Sequence, residues 1–332
     1  MGAIGTIPNC RFSISDFRLS QPTLRRFKDL FGRKSSLRRN RFAPTSILAT
    51  FARIGSDPER CDLLPNDFVP EIIVVPDRAA LARNAATRFV ALAQEAITAH
   101  GQFSVALSGG STPRDLYALL ATPEFSAQID WSRVHFFWGD ERAVPPDHPD
   151  SNYRMANETL LSCVKMPARN VHRILAELAP DSAARAYEET LREFFYPRPA
   201  PSPVRSRSER GRDGEGVPCF DLILLGLGAN GHTASLFPHT QVLHATTRWV
   251  AAQYIDEVKM NRITLTAPVI NAAKNILFLV AGEDKAAAVR AVLRGAYRPD
   301  VLPAQLIQPA NAHAVWLLDE DAASQLEARR SR

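Results

Sequence analysis

EIIVVPDRAALARNAATRFVALAQEAITAHGQFSVALSGGSTP, residues 71–113, changes its period three times. Glu71–Val75 is a short β-branched run, which favours a strand. Asp77 is a helix-capping residue, and the Ala-rich stretch behind it repeats apolar side chains at helical spacing (Leu81, Ala85, Phe89, Leu92, Ala96) up to Gly101, which suits a helix end. Phe103–Leu107 is mostly apolar again, and a second helix opens near Pro113. Strand, helix, strand, helix is the start of an α/β fold, because parallel neighbours need a crossover between them.

The alternation continues downstream. Strands are expected at Val134–Trp138, Phe220–Leu225, Trp249–Ile255, Ile263–Thr266, Ile276–Ala281 and Ala314–Leu318, with helices at Asn152–Leu161, Asp181–Phe195 and Asp284–Leu293. The fold class expected is α/β, a mainly parallel sheet with helices on both faces. One domain over residues 70–325 accommodates all of these elements. Residues 196–218 interrupt it with a Pro-, Arg-, Ser- and Gly-rich stretch, expected to be a low-complexity surface insertion, and 326–332 form a C-terminal tail.

Upstream of residue 70 the composition shifts. The first 55 residues hold eleven Lys or Arg against two Asp and no Glu, so the rest of the chain is mildly acidic even though the whole carries a net +5. Residues 1–69 are therefore expected to be a basic, disordered arm. Basic charge confined to such an arm is no nucleic-acid footprint, and no nucleic-acid partner is expected. No run approaches the roughly 18 uncharged apolar residues of a spanning helix, so no membrane partner is expected either. Cytoplasmic residence follows as the expectation, with an organellar address as the alternative should residues 1–55 serve as a transit peptide. Cys10, Cys61, Cys163 and Cys219 include no CxxC pair, so no zinc cluster or dithiol is expected.

Ligands of open α/β sheets collect beyond the carboxyl ends of strands. Three loops there carry chemistry. Ser108-Gly109-Gly110-Ser111-Thr112-Pro113 brings glycines that allow close approach of a ligand, a capping Ser111 or Thr112, and helix-start N–H groups suited to phosphate. Asp140-Glu141-Arg142 delivers two carboxylates and a guanidinium to a strand tip, followed by Asp150-Ser151-Asn152-Tyr153. Gly226-Leu227-Gly228-Ala229-Asn230-Gly231-His232 matches GxGxxG, yet Pro238 follows too soon for a full crossover helix, so a nucleotide site is not the reading preferred. A glycine-rich turn holding a histidine suits general acid or base work instead. Arg262 and Lys285, near other strand tips, complete a cationic set for a phosphate monoester.

Taken in order, SGGSTP, DERAVP with DSNY, DLILLGLGANGHTASLFP, RITLT and GEDKA resemble the 6-phosphogluconolactonase family, over about residues 70–320. DER in place of DEY, and SLFP in place of an FNEP-like continuation, separate the chain from the related amino-sugar-phosphate deaminases and isomerases. The resemblance implies a modified Rossmann-like fold, no metal and no cofactor. It implies hydrolysis of 6-phospho-D-glucono-1,5-lactone, a small-molecule sugar-phosphate partner, by a monomer or weak homo-oligomer. In that reading His232 is the general base, with Arg142 and Asp140 as its catalytic companions. Gly109, Gly110, Ser111, Thr112, Asn152, Gly228, Asn230, Gly231, Arg262 and Lys285 bind substrate. Arg142 is open to either the oxyanion or the phosphate. A deaminase or isomerase on the same fold, and a non-catalytic sugar-phosphate-binding module, are the alternatives. Two departures from the family's usual pattern stand out: Asn230 where an Asp is common before Gly-His, and His239 where a Gly is common after Phe-Pro. The first removes a negative charge beside the imidazole, so an Asp at 230 is expected to raise activity.

Overall fold

The structure is a computed structural model and describes residues 69–197, 216–309 and 313–326. All but the last residue of the expected arm, all but the first of the C-terminal tail, and residues 198–215 of the expected insertion lie outside the described residues. In chain order the strands are β1 (Glu71–Val75), β2 (Phe103–Leu107), β3 (Val134–Trp138), β4 (Asp140–Arg142), β5 (Leu222–Leu225), β6 (Val250–Ile255), β7 (Met260–Leu265), β8 (Asn275–Val280) and β9 (His313–Asp319). The α-helices are α1 (Arg78–His100), α2 (Ser111–Leu120), α3 (Pro123–Ser126), α4 (Asn152–Ala156), α5 (Pro180–Phe195), α6 (Ala267–Asn271), α7 (Ala286–Arg294) and α8 (Glu320–Ala323).

Asp77 caps α1 as its sequence position implies, accepting the Ala80 N–H at 2.7 Å, and Gly101 ends the helix with φ +86°. Every residue of β2 and of β5 is buried. Successive strand residues face opposite ways, so burial of all of them means that both faces of the sheet are covered. Six strands in the order β1-β9-β8-β5-β2-β3 form this sheet, and every pairing is parallel. From β2 the chain steps outward to β3. From β5 it steps the other way, through β8 to β9. The loops after β2 and β5 therefore part at the point where the strand order reverses, which is where open α/β sheets bind ligands.

Four expectations are corrected. The strands expected at Trp249–Ile255 and Ile263–Thr266 do not enter the parallel sheet. They are β6 and β7, an antiparallel hairpin that joins β4 in a separate sheet of order β4-β7-β6. Gly139 is the joint: its N–H donates to Leu107 O of β2 at 2.9 Å, and its carbonyl accepts the Leu265 N–H of β7 at 2.8 Å. The Asp140–Arg142 loop is thus a strand, hidden by its charged sequence. The helix expected over Asn152–Leu161 stops at Ala156 and continues as a wider π-type turn, Asn157–Leu161. Neither Ser111 nor Thr112 caps α2, because the cap position falls on Gly110, whose φ of +102° few other residues adopt.

Candidate active site

Two buried tyrosines hold the strand tips that carry the site. The Tyr117 hydroxyl accepts the Ser108 N–H at 3.0 Å and donates to Ser108 O at 2.8 Å; that of Tyr187 does the same for Trp138, at 2.8 and 3.0 Å. Where the strand ladder ends, a phenol takes over both backbone groups, and the turns that follow start from fixed positions. Burial pushes both phenols above the ordinary tyrosine range, so they stay neutral.

Between the tips lies a cleft of about 310 Å³. Of the residues read from the sequence, Gly109, Gly110, Asp140, Arg142, Asn152, Gly228, His232, Arg262 and Lys285 line it. Ser111 and Thr112 do not; they form the first turn of α2 behind Gly110. Asn230 and Gly231 sit behind the histidine. Gly231 has φ +80°, and a Cβ on it would come within 2.7 Å of the Leu302 side chain. Gly228 and Gly109 are needed for close approach: a Cβ would lie 2.1 Å from His232 Nδ1 in the first case and 1.8 Å from Asn152 Oδ1 in the second.

The His232 ring stacks on Phe237 with centroids 4.0 Å apart, and its Nδ1 lies 2.6 Å from Asn230 Oδ1. Desolvation lowers its pKa to about 4, while Asp140 and Glu257 pull it upward and Arg262 and Lys285 push it down. The imidazole is therefore neutral at physiological pH. With Asn230 oxygen on Nδ1, that nitrogen holds the proton and Nε2 keeps a lone pair. Nε2 has no hydrogen-bond partner among the described residues.

Asp140 is 7% exposed; its Oδ2 accepts from Ser235 Oγ at 2.7 Å, and Asn152 Nδ2 lies 3.4 Å from its Oδ1. Glu141, 2% exposed, points the other way. It accepts the N–H groups of Arg142, Asn152 and Tyr153 at 2.8, 2.7 and 2.8 Å and the Ser151 hydroxyl at 3.1 Å, anchoring β4 to the start of α4. Burial pushes its carboxyl up against the pull of those N–H groups. Arg142 and Arg262 are paired positions of β4 and β7, so their side chains leave the same face. The Nε of each is buried without a partner, although Arg142 Nη1 donates to Asp150 O at 2.6 Å. Burial, then the neighbouring Arg142, lowers the Arg262 pKa. Two adjacent guanidinium groups with unused donors are built to receive an anion. Asn152 Oδ1, on a side chain 2% exposed, also lacks a partner.

Ser235, Phe237 and the two clamping tyrosines were not singled out from the sequence, and Glu141 was read only as one of two carboxylates at a strand tip. Ser235 and Phe237 stand inside the quoted His232 motif, so proximity to the histidine was their available signal; the tyrosines act through the fold and had none. His239, the second departure from the family pattern, has φ +60°, the left-handed conformation a glycine there would adopt freely.

An all-parallel sheet with its strand order reversing beside a neutral histidine and two anion-seeking arginines defines an α/β protein acting on a small anionic substrate. The chain belongs to the glucosamine-6-phosphate isomerase/6-phosphogluconolactonase family, whose sequence profile matches residues 76–316. It is 39% identical to the 6-phosphogluconolactonase of Synechocystis over 260 residues, 78% of this chain and 99% of that protein. It is also 39% identical to that of Nostoc over 254 residues, 76% and 97%. The solved 6-phosphogluconolactonase of Trypanosoma brucei superposes with a TM-score of 0.66 at 30% identity, covering 78% of this chain and 100% of that one. A monomeric glucosamine-6-phosphate deaminase shares the fold at 20% identity and a TM-score of 0.63. Among the described residues no helix is long and apolar enough to cross a membrane.

Proposed function

We propose that the chain hydrolyses 6-phospho-D-glucono-1,5-lactone to 6-phospho-D-gluconate, with His232 as general base. The observation that carries this reading is a neutral imidazole lining the same cleft as two arginines with unpaired Nε donors. His232 Nε2 takes a proton from a water as the water oxygen bonds to the lactone carbonyl carbon. The carbonyl oxygen becomes an oxyanion. As it collapses, the bond from that carbon to the ring oxygen breaks, and the proton passes from His232 to the departing oxygen. Arg142 and Arg262 lie where one anion can engage both; assigning them the 6-phosphate together with Lys285 leaves the backbone N–H groups of the Gly109–Gly110 turn free for the remaining oxygens. Asp140, held by Ser235, accepts from sugar hydroxyls, and the free Asn152 Oδ1 has the same capacity.

The test is hydrolysis of freshly generated lactone followed through 6-phosphogluconate dehydrogenase, with the uncatalysed opening subtracted. His232→Ala should lose about 10²- to 10⁴-fold in kcat, the usual contribution of a positioned base. Wild-type protein that fails to exceed the uncatalysed rate overturns the activity, and an unimpaired His232→Ala overturns the base. Cytoplasmic residence is the compartment we propose. The plant relative from Arabidopsis described as chloroplastic supports the organellar alternative. A native chain starting beyond residue 55, by mass spectrometry, would decide for the latter.

A further inference from the structure

Glu257 lies in the β6–β7 hairpin, twenty-five residues from His232, and is exposed. The hairpin turn closes with the Lys259 N–H donating to Asp256 O at 3.4 Å and Lys259 at φ +47°, and Val258 beside it lines the cleft. Glu257 Oε2 accepts from Asn230 Nδ2 at 2.8 Å. Asn230 Oδ1 in turn accepts the backbone N–H of His232 at 3.2 Å and faces the ring Nδ1 at 2.6 Å.

The two ends of an amide are chemically different, whereas a carboxylate can only accept. The end of Asn230 that meets Glu257 is therefore the NH₂ group, and the end that meets His232 is the oxygen. An oxygen there needs the proton on Nδ1, which leaves Nε2 unprotonated toward the cleft. An aspartate at position 230 would impose that tautomer by itself. An asparagine does so only while its amide is held: a half-turn would give up both the His232 backbone N–H at 3.2 Å and the Glu257 contact at 2.8 Å, present a donor to the ring and favour the opposite tautomer, with Nε2 protonated and unable to accept.

We propose that Glu257 is a positioning residue that, together with the weaker 3.2 Å contact from the His232 backbone N–H, fixes the His232 tautomer by orienting the Asn230 amide. The inference rests on His232 being the base. It also revises the expectation for Asn230→Asp: beside an intact Glu257 that change sets two carboxylates against each other across a contact now spanned at 2.8 Å, and the benefit of aspartate appears only once Glu257 is removed. Glu257 also adds negative charge near the ring, in company with Asp140 and opposed by Arg262 and Lys285.

The experiment uses the full chain labelled with ¹⁵N-histidine, with His232→Ala identifying the His232 signals. At neutral pH the wild type should show the Nδ1–H tautomer, and Glu257→Ala a shift toward Nε2–H. The same variant should lose about 10- to 100-fold in kcat, a part of what the base supplies, with KM for the lactone kept within about twofold. Adding Asn230→Asp to Glu257→Ala should restore both the tautomer and most of kcat. Because Glu257 is exposed, its replacement by alanine does not threaten folding. A Glu257→Ala protein with the wild-type tautomer and kcat overturns the relay and leaves the base standing. A shifted tautomer alongside a fully active His232→Ala supports the relay and overturns the base.

Discussion

At the scale of single residues, the site depends on how closely two backbone segments approach two side chains. Gly228 illustrates it. Alanine there would put a methyl carbon 2.1 Å from Nδ1 and 2.2 Å from Cε1 of His232, so the ring must move. Displacement of about 1 Å at a reacting group costs on the order of 10²-fold in rate, and Gly228→Ala should lose about that much in kcat/KM. The loop is near the surface, so its thermal midpoint should change little. Unchanged kinetics would mean that the imbalance falls on the backbone and that the ring position is unimportant. Gly110 and Gly228 were legible in the sequence because their constraint is local, a positive φ in one case and the ring of nearby His232 in the other; Gly109 was legible only as part of the same turn, since the side chain it must clear belongs to distant Asn152. Arg142 and His232 were legible through the charged and glycine-rich motifs that contain them, and Arg262 through its place at the start of a β-branched run. Glu257 was not, because nothing in a charged hairpin turn reveals which distant amide it will meet.

Secondary-structure elements show a different limit. A continuous apolar run such as Leu222–Leu225 declares a buried parallel strand, and short, largely apolar or β-branched runs mark the other strands of the large sheet. β4 has three residues, all charged, and no hydrophobic period at all. Its strand character comes from β7 beside it and from Glu141, whose carboxylate receives the Arg142 N–H of β4 itself together with two backbone N–H groups and a hydroxyl from the segment that follows. A side chain that replaces missing ladder bonds leaves no periodic trace. It does leave a testable one. Glu141→Gln substitutes an NH₂ group for an acceptor facing N–H donors, and a buried unsatisfied donor costs about 1–3 kcal/mol. The denaturation midpoint should fall accordingly with an unchanged m value. Since Arg142 and Asn152 are among the groups released, KM should rise as well. A midpoint equal to that of wild type would show that the glutamate is held in its neutral form, as an acid with one donor of its own.

For the whole molecule, the far edge of the parallel sheet contributes, beside His232, to how acid affects stability. β3 is that edge, and His135 on it shares a hydrogen bond with His172, Nδ1 to Nε2, at 3.1 Å. The pair is packed among aromatic rings: His172 stacks on Phe137 at 4.4 Å, and Phe194 lies 4.7 Å from His135. Burial lowers both pKa values, that of His172 to about 4, with Arg169 adding to the effect on His135. At neutral pH both rings are uncharged in the folded and unfolded chain, and the pair has no effect on the pH dependence. As pH falls through 6.5 the unfolded histidine takes up a proton that the folded one refuses, so stability drops until the folded pKa is reached near 4. His172 is partly exposed, and after allowance for solvent screening the loss is about 1 kcal/mol, roughly 2–4 °C in Tm for a domain of this size. His172→Phe keeps the stacking and removes the titration. Its Tm at pH 7 carries the cost of the lost hydrogen bond, but on going from about pH 7 to about pH 5 it should fall less than that of wild type by that 2–4 °C. Parallel Tm profiles for the two proteins would show that the edge pair titrates alike in the folded and unfolded chain, and would place the acid sensitivity at His232, whose pKa burial also lowers to about 4.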